Sequence, residues 1–204
     1  GTADHGGTDP SIAAGTNCVY TNGEYTSGTN CVKTIFPKQW YGDVSMYGYD
    51  AQGNFVALYS DGSLKAWGGT DAATNIPTDT GYVHVYMSSL VTGAFAGVKS
   101  DGSVTVWGNL FSGGCNSGTH ASYSCKPSGL TNVVKIFGTA YFFVALKNDK
   151  TVKIWGEFSQ MGDLSNLDLT NVEDVAVTDR AFALMHSDGS VTVSGQSAYG
   201  GDGP

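Results

Sequence analysis

The chain has 204 residues, 41% of them apolar, which is enough for one large all-β domain with a sizeable core and argues against disorder throughout. Only 14% are charged and 29 are glycine, the profile of an extracellular-type β protein with many tight turns. A net charge of −8 lacks the basic face that nucleic acid or anionic lipid demands, and no apolar run nears the ~20 residues of a membrane helix, so neither nucleic acid nor direct membrane insertion is expected.

Residues 1–17 are Gly/Thr-rich without periodicity and read as a tail or linker, and residues 18–204 as a single domain. The chain begins at Gly1 with no leader, as a processed, trimmed or partial chain does. Val19–Tyr25 reads as a hairpin around Asn22-Gly23, and Val32–Phe36 as a further strand ended by Pro37. This opening offers strands for a partial fifth blade or for pairing with the C-terminus.

Four segments then align without gaps: Phe55–Gly68, Phe95–Gly108, Phe143–Gly156 and Phe182–Gly195. Their leading phenylalanines stand 40, 48 and 39 positions apart, a period that signals a repeat architecture. Each segment reads as a hairpin. An apolar run forms its first strand, and the bend is Asp61-Gly62, Asp101-Gly102 or Asp188-Gly189, a pair suited to the positive φ of tight turns. Asp149-Lys150 replaces the pair in the third unit, which implies another turn type or strain. In the second strand Val104 and Val106 face one way and Trp107 the other, so both faces are expected to be buried.

A short β-type run precedes each hairpin, at Val44–Met46, Tyr82–Val85, Val133–Ile136 and Val175–Val177. A polar stretch after each hairpin leaves room for a weak fourth strand. Three clear strands and a faint one in ~40 residues outline a propeller blade. The repeats fall near 43–80, 81–129, 130–170 and 171–202. Trp67, Trp107 and Trp155 recur at one offset and read as blade-to-blade anchors rather than a ligand platform; Ser194 holds the place in the last unit.

Cys18, Cys31, Cys115 and Cys125 form two local pairs. Pairing 18 with 31 and 115 with 125 closes two short loops, with free thiols and a zinc site as the alternatives. Disulfides imply an oxidising compartment: secreted, cell-surface, or a lumen such as the periplasm or thylakoid.

The run A-L-x-x-D-G-x-V-x-x-W-G, matched over about residues 43–202, resembles the repeat of the regulator-of-chromosome-condensation family. Its spacing and cysteines are closest to secreted bacterial members such as the propeller-type β-lactamase inhibitor protein. The resemblance implies a β-propeller that recognises another protein through one face. Only four full units are visible where the family usually has seven, so a small ring, a fragment or completion by association are all open. No nucleotide-exchange residue carries over.

Catalytic patterns are missing from the sequence: there is no phosphate loop, nucleophile elbow or His-Glu-x-x-His, and His5, His84, His120 and His186 are scattered. Asp163, Asp168, Glu173, Asp174 and Asp179 read as a solvated loop rather than a metal site. No cofactor is expected. The leading reading is a non-enzymatic protein-interaction module whose loop residues Phe111, His120, Tyr123, Phe158, Met161 and Tyr199 meet a protein partner. The alternatives are a structural subunit or scaffold that binds copies of itself or caps a complex, and a glycan-binding protein.

Overall fold

A computed structural model describes residues 16–21, 24–29, 32–36, 55–67, 75–88, 93–118 and 120–203, the first three stretches by backbone alone. The order is β1 (Thr16–Thr21), β2 (Glu24–Thr29), β3 (Val32–Phe36), β4 (Phe55–Tyr59), β5 (Leu64–Trp67), β6 (Tyr82–Met87), β7 (Ala94–Lys99), β8 (Val104–Gly108), β9 (Tyr123–Ser124), β10 (Val133–Gly138), β11 (Phe142–Lys147), β12 (Val152–Glu157), β13 (Val172–Val177), β14 (Ala181–His186) and β15 (Val191–Gly195). These make four small antiparallel sheets of propeller-blade type: β3-β4-β5, β6-β7-β8, β10-β11-β12-β9 and β13-β14-β15. We call them blades 1 to 4. The hairpin expected around Asn22-Gly23 is present as β1 and β2, paired Thr21 to Glu24.

The alternation along β11 shows why such short sheets are stable. Phe143 and Ala145 pack on Val104 and Val106 of blade 2, while Phe142, Val144 and Leu146 pack on Phe182 and Leu184 of blade 4. A strand with both faces covered needs an unbroken apolar run, and the repeat supplies one. Trp107 lies with Phe95 and Val56 in the seam between blades 1 and 2, its ring stacked on Phe95 at 5.4 Å. Trp155 is sealed in the seam between blades 2 and 3 beside Phe143, at 5.3 Å. Trp107 and Trp155 are therefore packing anchors, and Val104, Val106 and Trp107 divide between faces as expected.

The Asp-Gly bends differ from the simplest hairpin turn. Only the glycine has positive φ, at 79°, 75° and 85° for Gly62, Gly102 and Gly189. Gly102 N donates to Lys99 O, and Lys99 N donates to Ser103 O. This is a type I turn followed by a glycine bulge. Asp149-Lys150 forms the same turn, with Lys150 itself at φ 62°. The turn type is thus unchanged, and a lysine occupies a conformation that favours glycine. Each aspartate accepts the N–H two residues on, as Asp101 does from Ser103 at 2.9 Å. Those bonds hold the carboxyl groups of Asp61, Asp101, Asp149 and Asp188 below the ordinary 3.8: through the Ser63, Ser103 and Ser190 hydroxyls first, and for Asp149 through Lys147 first.

Every bend except the last is latched to the following blade. Gly62 O accepts from Tyr82 N, Gly102 O from Val133 N and Lys150 O from Val172 N, at 3.1, 3.2 and 2.9 Å. The backbones lie so close that a Cβ on Gly102 would sit 2.8 Å from Asn132 Cα.

Two expectations are corrected. Blade 1 takes its first strand from Val32–Phe36, with Ile35 opposite Ala57, in the place assigned to Val44–Met46; that run lies outside the described residues. The stretch after Trp107-Gly108 does form a weak strand, but β9 joins the outer edge of the next blade, pairing Tyr123 with Glu157. The edge of β8 is instead met by the Asn116 amide, whose Oδ1 accepts from Val106 N at 3.0 Å. A side-chain amide there satisfies backbone groups that an open edge leaves unpaired.

Candidate functional site

In each blade the bend, Asp-Gly or Asp149-Lys150, lies at one end of the hairpin, so the connections leaving β8, β12 and β15 gather at the opposite end. All six loop residues singled out in the sequence belong to these connections.

The connection after β8 folds into a helical turn, Leu110–Gly114, begun by Asn109, whose Oδ1 accepts from Phe111 N at 3.0 Å. The Trp155 indole N–H donates to Gly113 O at 3.0 Å. Gly113 has φ 102°, and a Cβ there would come 2.7 Å from the Phe143 ring, so only glycine fits against it. The turn is therefore seated on the Phe143 and Trp155 rings. Cys115 is disulfide-bonded to Cys125, as expected, closing the loop that bears His120. The other expected pair, Cys18 and Cys31, lies outside the described side chains.

Phe111 is 54% exposed, as is its neighbour Leu110 at a similar level. Tyr123 is not a surface residue: it is 6% exposed, beneath Phe111 at 5.1 Å and stacked on His120 at 4.2 Å. It is the floor that props two exposed rings. Phe158 N donates to Ser122 O at 3.0 Å, which brings the exposed Phe158 to the same edge. Leu110, Phe111, His120 and Phe158 are thus exposed on neighbouring connections at one edge of blade 3, a candidate apolar-aromatic ridge.

Met161 is corrected outright. It is 2% exposed and packed between blades 3 and 4. Ser194 stands where blades 2 and 3 carry tryptophan, and its Oγ donates to Met161 O at 2.9 Å, as the Trp155 indole does to Gly113. The small serine leaves volume in that seam, and the methionine enters it.

Tyr199 is exposed on the short turn Ser197–Tyr199, whose Tyr199 O accepts from Thr178 Oγ1 at 3.0 Å. The Arg180 guanidinium lies 4.8 Å from the Tyr141 ring and 5.0 Å from that of Tyr199, and donates to Tyr141 Oη at 3.0 Å. Sequence reasoning missed Arg180, Tyr141 and Leu110. Arg180 and Tyr141 sit in the β13–β14 and β10–β11 connections of different blades, so no spacing in the sequence joins them; Leu110 was legible as the apolar neighbour of Phe111.

Ligand atoms of Cys115, His120 and Cys125 lie within 4.8 Å of one another. A bonded pair of sulfurs has no thiolate to offer a metal, so this group is a disulfide beside an imidazole. The acidic stretch disperses: Asp163 Oδ1 accepts from Ser165 N and Asp168 Oδ1 from Thr170 N in local turns, while Glu173 accepts from Lys150 Nζ of the preceding blade. The His186 nitrogens face Thr170 O at 2.9 Å and Thr192 Oγ1 at 2.8 Å.

No protein-family model and no curated protein matches the chain. Among solved structures it is similar to the CRINKLY WD40 ectodomain of the Arabidopsis thaliana receptor kinase ACR4, at 17% identity over 70% of this chain, with a TM-score of 0.48. It is similar to human WBSCR16 at 16% identity over 72%, with a TM-score of 0.49. It is also similar to Prp20p of Saccharomyces cerevisiae at 20% identity over 70%, with a TM-score of 0.48. The chain spans 47%, 46% and 41% of those three chains, less than half of each. These are likenesses of fold alone.

Proposed function

We propose that the chain is a non-enzymatic recognition module that grips a protein partner with the blade end opposite its Asp-Gly turns, in an oxidising compartment. The observation that supports this most is the ridge of Leu110, Phe111, His120 and Phe158. Exposed aromatics are held there by a buried tyrosine, a disulfide and an indole hydrogen bond, so little side-chain entropy is lost when a partner covers them. The repeat resemblance to the regulator-of-chromosome-condensation family agrees with such a role. The Cys115–Cys125 bond supports the compartment, since disulfides persist where thiols are not kept reduced.

The test is affinity capture from the native source with the wild-type chain and with Phe111→Ser/Phe158→Ser, followed by titration of the captured protein. A true ridge loses the partner by roughly 100-fold in Kd on losing two anchors, about 2–3 kcal/mol, while the melting curve hardly moves. A partner held equally by both proteins refutes the ridge. Capture of a glycan in its place favours the carbohydrate reading.

A further inference from the structure

The chain repeats one socket four times and fills it three times. On blade 3 the socket is Val144, Leu146 and Val152, all buried against blade 4. The aligned residues of blade 4 are Ala183, Met185 and Val191, with Ala183 facing Val193 and Met185 facing Val191 across β14 and β15. Met185 is 47% exposed and Val191 60%. Blade 4 thus presents apolar side chains on the face that the other blades cover.

The backbone tells the same story independently. A Cβ on Gly62 would lie 2.5 Å from Gly81 N of the next blade, and one on Gly102 2.8 Å from Asn132 N. A Cβ on Gly189 would meet no described residue within 4 Å. The space in which an adjoining blade lies at the other bends is open at this one, and its carbonyl stands where its counterparts accept the first N–H of the following blade.

We propose that this open end of blade 4 receives blade 1 of a second copy of the chain, head to tail. Blade 1 has the matching parts. Phe55 is paired with Trp67 in the register of Phe95 with Trp107 and Phe143 with Trp155. Val32 enters β3 with the same bulge and partner position as Tyr82, Val133 and Val172, the residues whose N–H groups close the internal latches. Trp67 is only half-buried, whereas Trp107 and Trp155 are sealed. The seam already built three times within one chain is thus built again between chains. Two such contacts join the four described blades of each of two copies, which reaches the upper end of the roughly four-to-eight-blade range in which propellers close.

Sedimentation velocity of the 204-residue chain at physiological ionic strength tests this, salt being needed to screen the repulsion between copies of net charge −8. Twice the chain mass is expected at micromolar concentration. Met185→Glu/Val191→Glu, which charges an already exposed face, is expected to weaken association at least ~100-fold, with its circular dichroism unchanged. A wild-type chain that stays monomeric at high micromolar concentration overturns the proposal, and so does a dimer that survives the double substitution. Met185→Cys separates the geometries: head-to-tail contact leaves its thiols apart under oxidation, while a covalent dimer through them shows face-to-face pairing and overturns it too.

Discussion

Gly102 and Gly189 occupy the same position in two copies of one turn, with φ of 75° and 85°, yet alanine should affect them very differently. At either site an L-residue in the left-handed region costs ~1–2 kcal/mol. Loss of glycine's freedom in the unfolded chain returns about 0.4–1 kcal/mol. At Gly189 the new methyl meets no described residue, so the net cost is about 0–1.6 kcal/mol. At Gly102 the methyl would lie 2.8 Å from Asn132 N and Cα, both backbone atoms, so blades 2 and 3 must part or their latch must lengthen. Overpacking of this kind adds ~1–3 kcal/mol, giving about 1–5 in total. For a chain of this size each kcal/mol moves Tm by roughly 2–4 °C. Thermal unfolding followed by circular dichroism, at a dilution where the chain does not associate, should therefore show Gly189→Ala lowered by no more than about 6 °C and Gly102→Ala lowered by about 2–12 °C more than Gly189→Ala. Equal shifts in the two variants would mean that the inter-blade latch does not constrain the turn, and the reasoning fails.

Two further outcomes follow from the same packing. Trp155→Ala should cost about 4–6 kcal/mol in urea unfolding, from a cavity between blades 2 and 3 and a Gly113 carbonyl left without its donor; Trp155→Phe, which keeps most of the ring, should cost less than half of that, and a loss under about 1 kcal/mol for alanine would deny the ring its anchoring role. The turn carboxylates set the acid limit. Asp61, Asp101, Asp149 and Asp188 all have folded pKa values below 3.8, so their stabilisation is complete above that value and is lost as pH falls through the depressed folded values. Melting temperature should therefore fall on acidification below pH about 4, and Asp101→Asn should flatten part of that fall. A profile unchanged by Asp101→Asn would show that its turn bonds do not distinguish the charged form.

The repeat, the hairpins, the Asp-Gly bends and the burial of both strand faces were legible in the sequence because each depends on residues close in the chain: a period of two along a strand, glycine where φ must be positive, phenylalanine and tryptophan at one offset per unit. The pairing of Cys115 with Cys125 was legible for the same reason. What depended on residues from different blades was not. Met161 and Tyr123 resemble exposed loop residues in sequence, yet the first fills the seam that Ser194 leaves roomy and the second lies under Phe111 and His120. Arg180 meets Tyr141 and Tyr199 only because three connections reach the same end of the array. β9 joins the following blade rather than its own, since an open strand edge takes whichever backbone is brought beside it. Local conformation follows from neighbouring side chains, but burial, edge pairing and exposure are decided by which surfaces the assembled blades bring together. Only the tertiary structure shows that Met185 and Val191, ordinary as a strand pattern, are left uncovered by the described residues.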